Sequence, residues 1–366
     1  MTDGSPRILV IKLRYLGDVL LTTPVFDALR SRFPDAFIAA VVNKGTEDML
    51  TENPAIDRIF TVIRDFRPLA DLRKQFQLIR EIRAAHFDVV LELTHNDRAA
   101  VLAFLSGAGK RLGYKPKKRK RFRRSLLLTD LVPVGKKLHV IDRHLELAKA
   151  MGCSVLPSKP TLYWTPQDQR TCGEILTSSG VPGKAPYVVL HPSSAATHKV
   201  WTAEGYAELC DYLSGRKSLR TILICGKDKE ELRLNREICA LSESPPLDLG
   251  GRLSLKQTAA LLSEALLFIG IDSGPMHMAT AVGTPVVAIF GPSRPWRWGP
   301  RGAGQVIIQK KWDCVPCGKK GCRDDGGESR CLMELTPDEV LLAVENRLDE
   351  IFRTPAPAFP AEKEVP

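Results

Sequence analysis

The chain of 366 residues is 44% hydrophobic, 26% charged and 7% aromatic, which is the composition of an ordinary globular protein. No apolar run reaches the roughly 18 residues that a membrane-spanning helix requires, and the N-terminus enters a strand without a basic and apolar leader. Because a single hydrophobic core rarely organises so long a chain, we expect two domains in a cytoplasmic protein.

The net charge of +11 is concentrated in one short segment. Residues 115–124, KPKKRKRFRR, include eight basic and no acidic residues, so the rest of the chain carries +3 (11 minus 8). A local basic patch suggests an anionic partner near one loop, and a phosphorylated substrate, a membrane headgroup layer and nucleic acid all fit this charge. A solvated charge run without a partner is the alternative.

Predicted strands and helices alternate along the first half of the chain. The strands are RILVIKL (7–13), FIAAVV (37–42), RIFTVI (58–63) and DVVLEL (88–93). The helices cover residues 18–32, 46–50, 69–85 and 140–151. Strand and helix in repeated alternation predict a parallel sheet with right-handed crossovers.

The same alternation restarts after KPTLYWTPQDQ (159–169), which two prolines mark as an extended linker. Predicted strands follow at 187–191, 221–226, 247–251, 266–271 and 286–290, and predicted helices at 202–213, 229–241 and 254–263. We therefore predict an N-terminal domain over residues 1–162, a C-terminal domain over 163–353 and a disordered, proline-rich tail over 354–366. Two such domains enclose a cleft, which is where ligands usually bind.

The turn after the first strand, within KLRYLGDVLLTTP (12–24), holds a candidate catalytic residue. Asp18 is predicted at the start of the next helix, at the carboxyl end of the strand. One interpretation is an N-cap, which stabilises a helix by about 1 kcal/mol. The other is a general base, because the helix dipole keeps a carboxylate ionised and ready to accept a proton from a hydroxyl.

The segment LHPSSAATHKVW (190–201) follows the first strand of the second half. Ser193 and Ser194 offer hydroxyl and amide donors, and Lys199 supplies a mobile positive charge, which together suit a diphosphate. The alternative is a polar loop before a helix that Thr202 caps.

A third segment, IDSGPMH (271–277), joins a buried strand to a short helix. Asp272, Ser273 and Gly274 precede the helix, whose free amides attract anions, and His277 lies one turn later. An ordinary helix cap and a core histidine are the alternatives.

Nine cysteines are too few and too scattered in this chain for the disulfide framework of a small secreted domain, so reduced thiols are expected. Four of them, Cys314, Cys317, Cys322 and Cys331, form a C-x2-C-x4-C-x8-C pattern. This spacing resembles zinc and iron–sulfur sites, but the gaps match neither a zinc ribbon nor a plant-type ferredoxin. A structural metal and thiols that only pack or pair therefore both stay open.

These segments together resemble a known enzyme family. The match involves ILVIKLRYLGDVLLTTPVFDALRSRFPDA, LHPSSAATHKVWTAEGYAEL, LGGRLSLKQTAALLSEALLFIGIDSGPMHMATAVGTPVVAIFGPS, CVPCGKKGC and CLMELTPDEV, in that order and to about residue 350. In these motifs the chain is similar to the ADP-heptose:lipopolysaccharide heptosyltransferases of glycosyltransferase family 9. The first motif is most similar to the heptosyltransferase III branch.

The resemblance implies a GT-B fold, in which two Rossmann-like domains with parallel sheets face each other across a cleft. It implies inverting transfer of heptose from ADP-L-glycero-D-manno-heptose to the inner core of lipopolysaccharide, with no cofactor and no essential metal. The N-terminal domain then holds the lipopolysaccharide core acceptor, and the C-terminal domain holds the ADP-sugar donor.

The resemblance also implies roles for individual residues. Asp18 deprotonates the acceptor hydroxyl, and Lys199 neutralises charge on the departing ADP. The donor-binding residues are Ser193, Ser194, Lys199, Glu230, Asp272, Ser273, Gly274 and His277, with Glu230 at the position that holds the ribose. Close relatives carry threonines where this chain has Ser193 and Ser194, and the altered spacer 195–198 affects the reach of Lys199.

The basic segment lies in the predicted acceptor domain. We expect it to contact acceptor phosphates or the anionic inner face of the cytoplasmic membrane, and assign acceptor binding to Lys117, Lys118, Arg119, Lys120 and Arg121. A transferase that uses another nucleotide sugar is the main alternative. A nucleic-acid-binding protein is disfavoured because only Phe122 adds an aromatic ring to the run, so no nucleic acid partner is expected. RYLGDVLL lacks G-x-G-x-x-G, which argues against a dinucleotide oxidoreductase.

Overall fold

The computed structural model describes residues 5–63, 72–116, 124–155, 159–181, 183, 185–322 and 327–353. Twelve strands within these residues form two six-stranded sheets, and all neighbouring strands are parallel. The predicted α/β class with two parallel sheets is confirmed.

The first sheet has the strand order β3-β2-β1-β4-β5-β6. Its strands are β1 (Arg7–Lys12), β2 (Phe37–Asn43), β3 (Arg58–Val62), β4 (Val89–Glu92), β5 (Lys110–Tyr114) and β6 (Asp130–Val132). In the central strand, Ile8 pairs with Ile38 on one side and with Val89 on the other.

The second sheet has the order β12-β11-β10-β7-β8-β9. Its strands are β7 (Tyr187–His191), β8 (Arg220–Leu223), β9 (Leu247–Asp248), β10 (Leu267–Ile271), β11 (Val286–Ile289) and β12 (Gln305–Ile308). If its strands are numbered 1 to 6 in chain order, this sheet has the order 6-5-4-1-2-3, which is the order of the first sheet read in reverse. In such sheets ligands bind at the carboxyl ends of the strands where the order reverses, which here means β1 and β4 in the first sheet and β7 and β10 in the second.

Helices connect the strands and cover both faces of each sheet. They are α1 (Leu16–Leu20), α2 (Thr23–Arg32), α3 (Leu72–Ala84), α4 (Asp97–Leu105), α5 (Val140–Lys149), α6 (Pro166–Ser178), α7 (Ala203–Lys217), α8 (Lys229–Leu241), α9 (Leu255–Glu264), α10 (Gly274–Val282), α11 (Pro295–Trp298), α12 (Arg330–Met333) and α13 (Pro337–Arg353), with 3-10 turns at Glu47–Met49 and Thr197–Lys199. Among the described residues, no helix is both long and apolar enough to cross a bilayer.

Successive strand residues alternate between separate hydrophobic clusters, as a sheet buried on both faces requires. In β1, Ile8 and Val10 join one cluster while Leu9 and Ile11 join another. The cluster with Ile8 continues through α1 and α2 into α9 and α10, so apolar packing joins the two halves of the molecule. Lys256 adds a polar link between the halves, because its Nζ donates to Thr51 O at 2.8 Å.

The structure differs from two predicted elements, the helix 18–32 and the linker 159–169. The predicted helix 18–32 is two helices, because the chain turns at Thr22, whose hydroxyl donates to Val19 O at 2.6 Å, and Pro24 lies in the first turn of α2. The predicted extended linker 159–169 ends early, since Thr165 and Asp168 form a capping box that begins α6.

The predicted elements do not include α4, β5, β6, α6, α11, β12, α12 or α13. The domain boundary near residue 162 stays a prediction. The predicted disordered tail, 354–366, lies outside the described residues.

Arg124, the last residue of the basic segment, has a structural role in the core of the first half. Arg124 is 2% exposed and forms an ion pair with Glu92, which is 0% exposed. Arg124 Nη1 also donates to Asn96 O at 3.1 Å, and Glu92 Oε1 accepts from the His95 amide at 2.6 Å. Burial raises the pKa of Glu92, and the Arg124 guanidinium opposes that rise.

We expect Arg124→Leu to lower the free energy of unfolding by about 3–5 kcal/mol at pH 7.5, because it leaves Glu92 as an uncompensated buried charge. Without Arg124 the pKa of Glu92 rises further, so the native state binds a proton that the unfolded chain releases. The loss should therefore shrink as the pH falls toward about 5.

Urea unfolding at the two pH values measures this effect, and Glu92→Gln/Arg124→Leu serves as the matched control. The control should recover much of the lost stability, since a glutamine oxygen still accepts from His95 and carries no charge. A loss below about 1 kcal/mol, or one independent of pH, would contradict this account.

Candidate active site

The reversal points of the two sheets meet at a close backbone contact. Gly17, in α1, lies against the start of α10, such that a Cβ on Gly17 would be 3.0 Å from His277 Cδ2 and 3.4 Å from Gly274 Cα. A Cβ at position 17 would require His277 or the start of α10 to shift by a few tenths of an ångström. This contact places Asp18 of the first half beside the turn Asp272–Gly274 of the second.

Asp18 is not an N-cap. The N-cap of α1 is Tyr15, and Asp18 is the third residue of the helix, where the dipole still favours a carboxylate. Its side chain is 21% exposed, and its Oδ1 lies 3.5 Å from Lys12 Nζ. The carboxylate is therefore reachable from solvent while a buried cation lies behind it.

Lys12, the last residue of β1, is 5% exposed and has an acceptor for each of its three protons. Besides Asp18, its Nζ lies 3.2 Å from Leu93 O and 3.0 Å from His144 Nε2. Burial lowers the pKa of Lys12 to about 8, and Asp18 opposes that shift. Sequence analysis missed Lys12, although a lysine that ends an otherwise apolar central strand is itself a signal.

A buried chain of polar groups continues behind Lys12. Burial, and after it the charge of Lys12, lowers the pKa of His144 well below its ordinary value, so this ring is neutral. With Nε2 accepting from Lys12, the proton lies on Nδ1, which donates to Tyr114 Oη. Burial also raises the pKa of Tyr114 well above its usual range, so Lys12 carries the charge of this chain.

The structure brings together the predicted residues of the second half. Lys199 Nζ donates to Asp272 Oδ2 at 2.7 Å, which joins the segment after β7 to the segment after β10. Ser273 is the N-cap of α10 but does not cap through its side chain; its Oγ instead contacts His191 Nδ1 at 3.2 Å. Burial lowers the pKa of His191 to about 4, so it meets Ser273 as a neutral ring.

His277 lies between the two halves. It is 5% exposed, and both Asp272 and Asp18 raise its pKa, while burial, the larger effect, lowers it. A neutral His277 therefore packs under the α1–α10 contact, and its position fits a packing role better than a charged one.

Ser193 and Ser194 have different surroundings. Ser193 is 2% exposed, and its buried Oγ has no hydrogen-bond partner in the structure. Ser194 Oγ accepts from the Ala196 amide at 3.2 Å. Ser193 thus retains an unused hydroxyl next to the Lys199 segment, while Ser194 shapes the loop.

Glu230 lies apart from this network. Its side chain is 79% exposed and bonds to Arg233 within α8 at 3.0 Å. The neighbouring Glu231 instead accepts from the Gly226 amide at 2.8 Å, at the junction between β8 and α8. The ribose role of Glu230 stays a prediction.

The predicted acceptor residues Lys117, Lys118, Arg119, Lys120 and Arg121 lie outside the described residues. Among the described residues, a cavity of about 130 Å³ opens at the carboxyl ends of β1, β2 and β4. It is lined by Leu13, Arg14, Tyr15, Asn43, Asn96 and Arg98. The buried Oδ1 of Asn43 has no hydrogen-bond partner there.

All nine cysteines lie in the described part of the chain and are free thiols. Of the four late cysteines, Cys331 is buried and its pKa is raised to about 11 by burial and by Cys322 and Cys317. Across the described residues, no three His, Cys, Asp or Glu side chains are arranged to hold a metal ion. The metal-free interpretation stays a prediction.

Comparison with known families identifies the class of protein that this fold and site define. Residues 75–326 match the model of glycosyltransferase family 9 (heptosyltransferase). This match spans more than half of the chain, so the chain belongs to glycosyltransferase family 9 and is a glycosyltransferase.

Individual relatives agree with this assignment. Lipopolysaccharide heptosyltransferase 3 of Escherichia coli is 30% identical over 293 residues, which cover 78% of this chain and 84% of that protein. The crystal structure of the family 9 glycosyl transferase from Veillonella parvula superposes with a TM-score of 0.82 at 27% identity, covering 96% of this chain and 99% of that one. E. coli heptosyltransferase WaaC with ADP has a TM-score of 0.74 at 21% identity, covering 93% and 99%. The predicted GT-B fold is confirmed.

We expect Lys12→Met to change how stability depends on pH. The pKa of Lys12 is about 8 in the folded protein and about 10.5 as the unperturbed value, so between these values the unfolded chain binds more protons. This group therefore makes the wild-type protein gain stability as the pH rises through that window, by about 1–3 kcal/mol.

Urea unfolding between pH 8 and 10 should show a flatter pH dependence for Lys12→Met than for the wild type. The exposed Lys229→Met variant is the control and should keep the wild-type slope. Parallel curves for the wild type and Lys12→Met would show that Lys12 is not a buried, charged partner of Asp18.

Proposed function

We propose that this glycosyltransferase moves heptose from ADP-L-glycero-D-manno-heptose to the inner core of lipopolysaccharide, with inversion at the anomeric carbon. The observation that carries the proposal is the contact of Gly17 with the start of α10, which brings a solvent-accessible carboxylate next to an anion-attracting turn. The relatives support the substrates, since they include E. coli lipopolysaccharide heptosyltransferase 3 and WaaC with ADP.

In this proposal Asp18 is the general base. The acceptor hydroxyl gives its proton to Asp18 as its oxygen forms a bond to the anomeric carbon of the donor. The bond between that carbon and the diphosphate oxygen breaks on the opposite side, and its electron pair leaves with ADP. Base and leaving group on opposite sides of one carbon produce inversion.

Lys12 supports this base in two ways. Its positive charge lies 3.5 Å from the Asp18 carboxylate and holds that side chain in place, and its three fixed acceptors prevent Lys12 from reaching the substrate itself. Because the cation is already in place, little rearrangement is needed as the proton moves.

The donor diphosphate is held by fixed positive groups. The first amides of α10 point out of the helix with the positive end of its dipole, and Gly274 permits close approach. Lys199 supplies the mobile charge for the leaving ADP, and Asp272, bonded to it at 2.7 Å, positions it. Ser193 adds its unused hydroxyl. These groups can supply the positive charge at the diphosphate that a metal ion supplies in other transferases, so we propose no cofactor.

We further propose that the enzyme works in the cytoplasm, in peripheral contact with the inner face of the cytoplasmic membrane, with no nucleic acid partner. The charge of segment 115–124 supports this, because a run of cations is attracted to acceptor phosphates and to anionic headgroups. Arg124 is excluded from this role by its buried ion pair with Glu92.

Asp18→Asn should lower kcat by about 1000-fold while ADP binds within about threefold of the wild-type affinity, since the variant loses a proton acceptor that acts only in the transition state. ADP release from ADP-heptose in the presence of truncated core acceptors measures turnover, and calorimetry measures ADP affinity.

The exposed Asp35→Asn variant is the matched control and should retain the wild-type rate. Full turnover by Asp18→Asn would remove Asp18 as the base. Wild-type turnover with another nucleotide sugar but none with ADP-heptose would overturn the proposed donor.

Replacing Lys117, Lys118, Arg119, Lys120 and Arg121 with glutamine should raise the KM for a phosphorylated core acceptor by at least about tenfold, through lost attraction to phosphate. The affinity for ADP should not change, because the donor contacts lie in the other half of the chain.

Arg170→Gln/Arg216→Gln removes exposed charge from the second half and serves as the control for net charge. If both variants shift the acceptor KM equally, the effect is one of overall charge. If neither shifts it, the assignment of acceptor binding to residues 117–121 is wrong.

A further inference from the structure

A group of arginines lies beside Asp18 and has no part in the donor site. Arg143 belongs to α5 in the first half of the chain, and Arg297 belongs to α11 in the second half, with Arg294 just before that helix. None of these residues stood out in the sequence, because they are far apart along the chain.

Two polar contacts hold α11 against the first turn of α5. His139 Nε2 donates to Gly299 O at 3.0 Å, while its Nδ1 accepts from the Ile141 amide at 3.2 Å. Asp142 forms an ion pair with Arg301. Because Asp142 is already paired, it does not neutralise the neighbouring Arg143.

The same turn of α5 is joined to the base. His144, next to Arg143, contacts Lys12 at 3.0 Å, and Lys12 pairs with Asp18. The guanidinium of Arg143 lies 5.4 Å from the ring centroid of Tyr114, and its Nη1 donates to Gly135 O at 3.0 Å, so its other donors are left for a ligand. Arg143 and Asp18 are therefore fixed within one connected cluster.

Arg297 faces this cluster from the other half. Its guanidinium lies 5.4 Å from the ring centroid of Trp298, and its Nε is buried with no hydrogen-bond partner. The contacts of His139 with Gly299 and of Asp142 with Arg301 bring Arg297 close to α5. Burial, Arg143 and Arg294 lower the pKa of Arg297, whereas Asp18 raises it. In the part of the chain that the structure describes, no carboxylate oxygen lies within 4 Å of Arg143 or Arg297.

Half-buried guanidinium groups that repel each other are costly unless an anion joins them, and their planar donors match the oxygens of carboxylate and phosphate. We propose that Arg143 and Arg297 form an anion-binding subsite next to Asp18 that takes a carboxylate or phosphate group of the acceptor saccharide. The subsite is distinct from residues 117–121, and it rests on the proposed function for the identity of its ligand as an acceptor.

One arginine comes from each half of the chain, so the bound anion bridges the two halves beside the base. An acceptor that lacks the anionic group would reach Asp18 without this bridge, and it would be positioned less well. The subsite therefore selects acidic acceptors over neutral ones of similar size.

Binding of the acceptor without donor tests this subsite apart from turnover. Calorimetric titrations would use a core saccharide that carries phosphate and an acidic sugar, the same saccharide after phosphatase treatment, and the same saccharide with its carboxyl group reduced to an alcohol. Arg143→Gln and Arg297→Gln should each weaken binding of the intact saccharide about 10- to 100-fold and leave ADP affinity unchanged.

The treated saccharides identify the anion. Removal of the anionic group that binds at this subsite should weaken binding of the saccharide to the wild type. The two variants should then bind that treated saccharide with nearly the affinity of the wild type. Arg170→Gln, an exposed arginine elsewhere, should behave as the wild type toward all three saccharides.

Two results would overturn the subsite: wild-type affinity of both variants for the intact saccharide, or equal losses for all three saccharides, which would indicate a packing role. A wild-type enzyme that binds the acidic saccharide through Arg143 and Arg297, but does not transfer heptose from ADP-heptose, would instead refute the proposed function and leave the subsite supported.

Discussion

The candidate site is arranged around one close contact, that of Gly17 with the start of α10. The gap between α1 and α10 is so narrow that a Cβ at this position would be 3.0 Å from His277. With glycine there, the carboxyl ends of the central strands of two separate sheets approach each other. A carboxylate from one sheet and a turn with free amides from the other then face a shared space, which neither half of the chain could provide alone.

Buried polar groups next to this contact hold the charged side chains of the candidate site in place. Asp18 is partly open to solvent, yet it is backed by Lys12, whose three protons are all directed at acceptors. His144 and Tyr114 stay neutral because burial lowers the pKa of His144 and raises the pKa of Tyr114, so Lys12 is the charged member of this buried group. Across the cleft, Asp272 has the matching role for Lys199. Asp18 and Lys199 therefore each have a partner of opposite charge that holds the side chain in place.

Local pattern predicted most of this fold and several residues of the candidate site, whose roles stay predictions. Central strands were evident from apolar runs, and Asp18, Lys199 and Asp272 from their places after strands. Short edge strands such as β6 and β12 were missed because they carry little apolar signal. Lys12, Arg143 and Arg297 were missed because their importance arises from contacts between segments more than 100 residues apart, such as that between His139 and Gly299. The N-cap interpretation of Asp18 was wrong because the helix begins at Leu16, with Tyr15 as its N-cap, so that Asp18 lies inside the first turn.

The most direct test of the central claim is a crystal structure of the Asp18→Asn enzyme with ADP-heptose and a core saccharide. We predict diphosphate oxygens within about 3.2 Å of the Gly274 amide and Lys199 Nζ, and the acceptor hydroxyl within about 3.2 Å of the residue 18 side chain, on the opposite face of the anomeric carbon. A diphosphate bound away from α10, or an anomeric carbon that faces away from residue 18, would contradict the account.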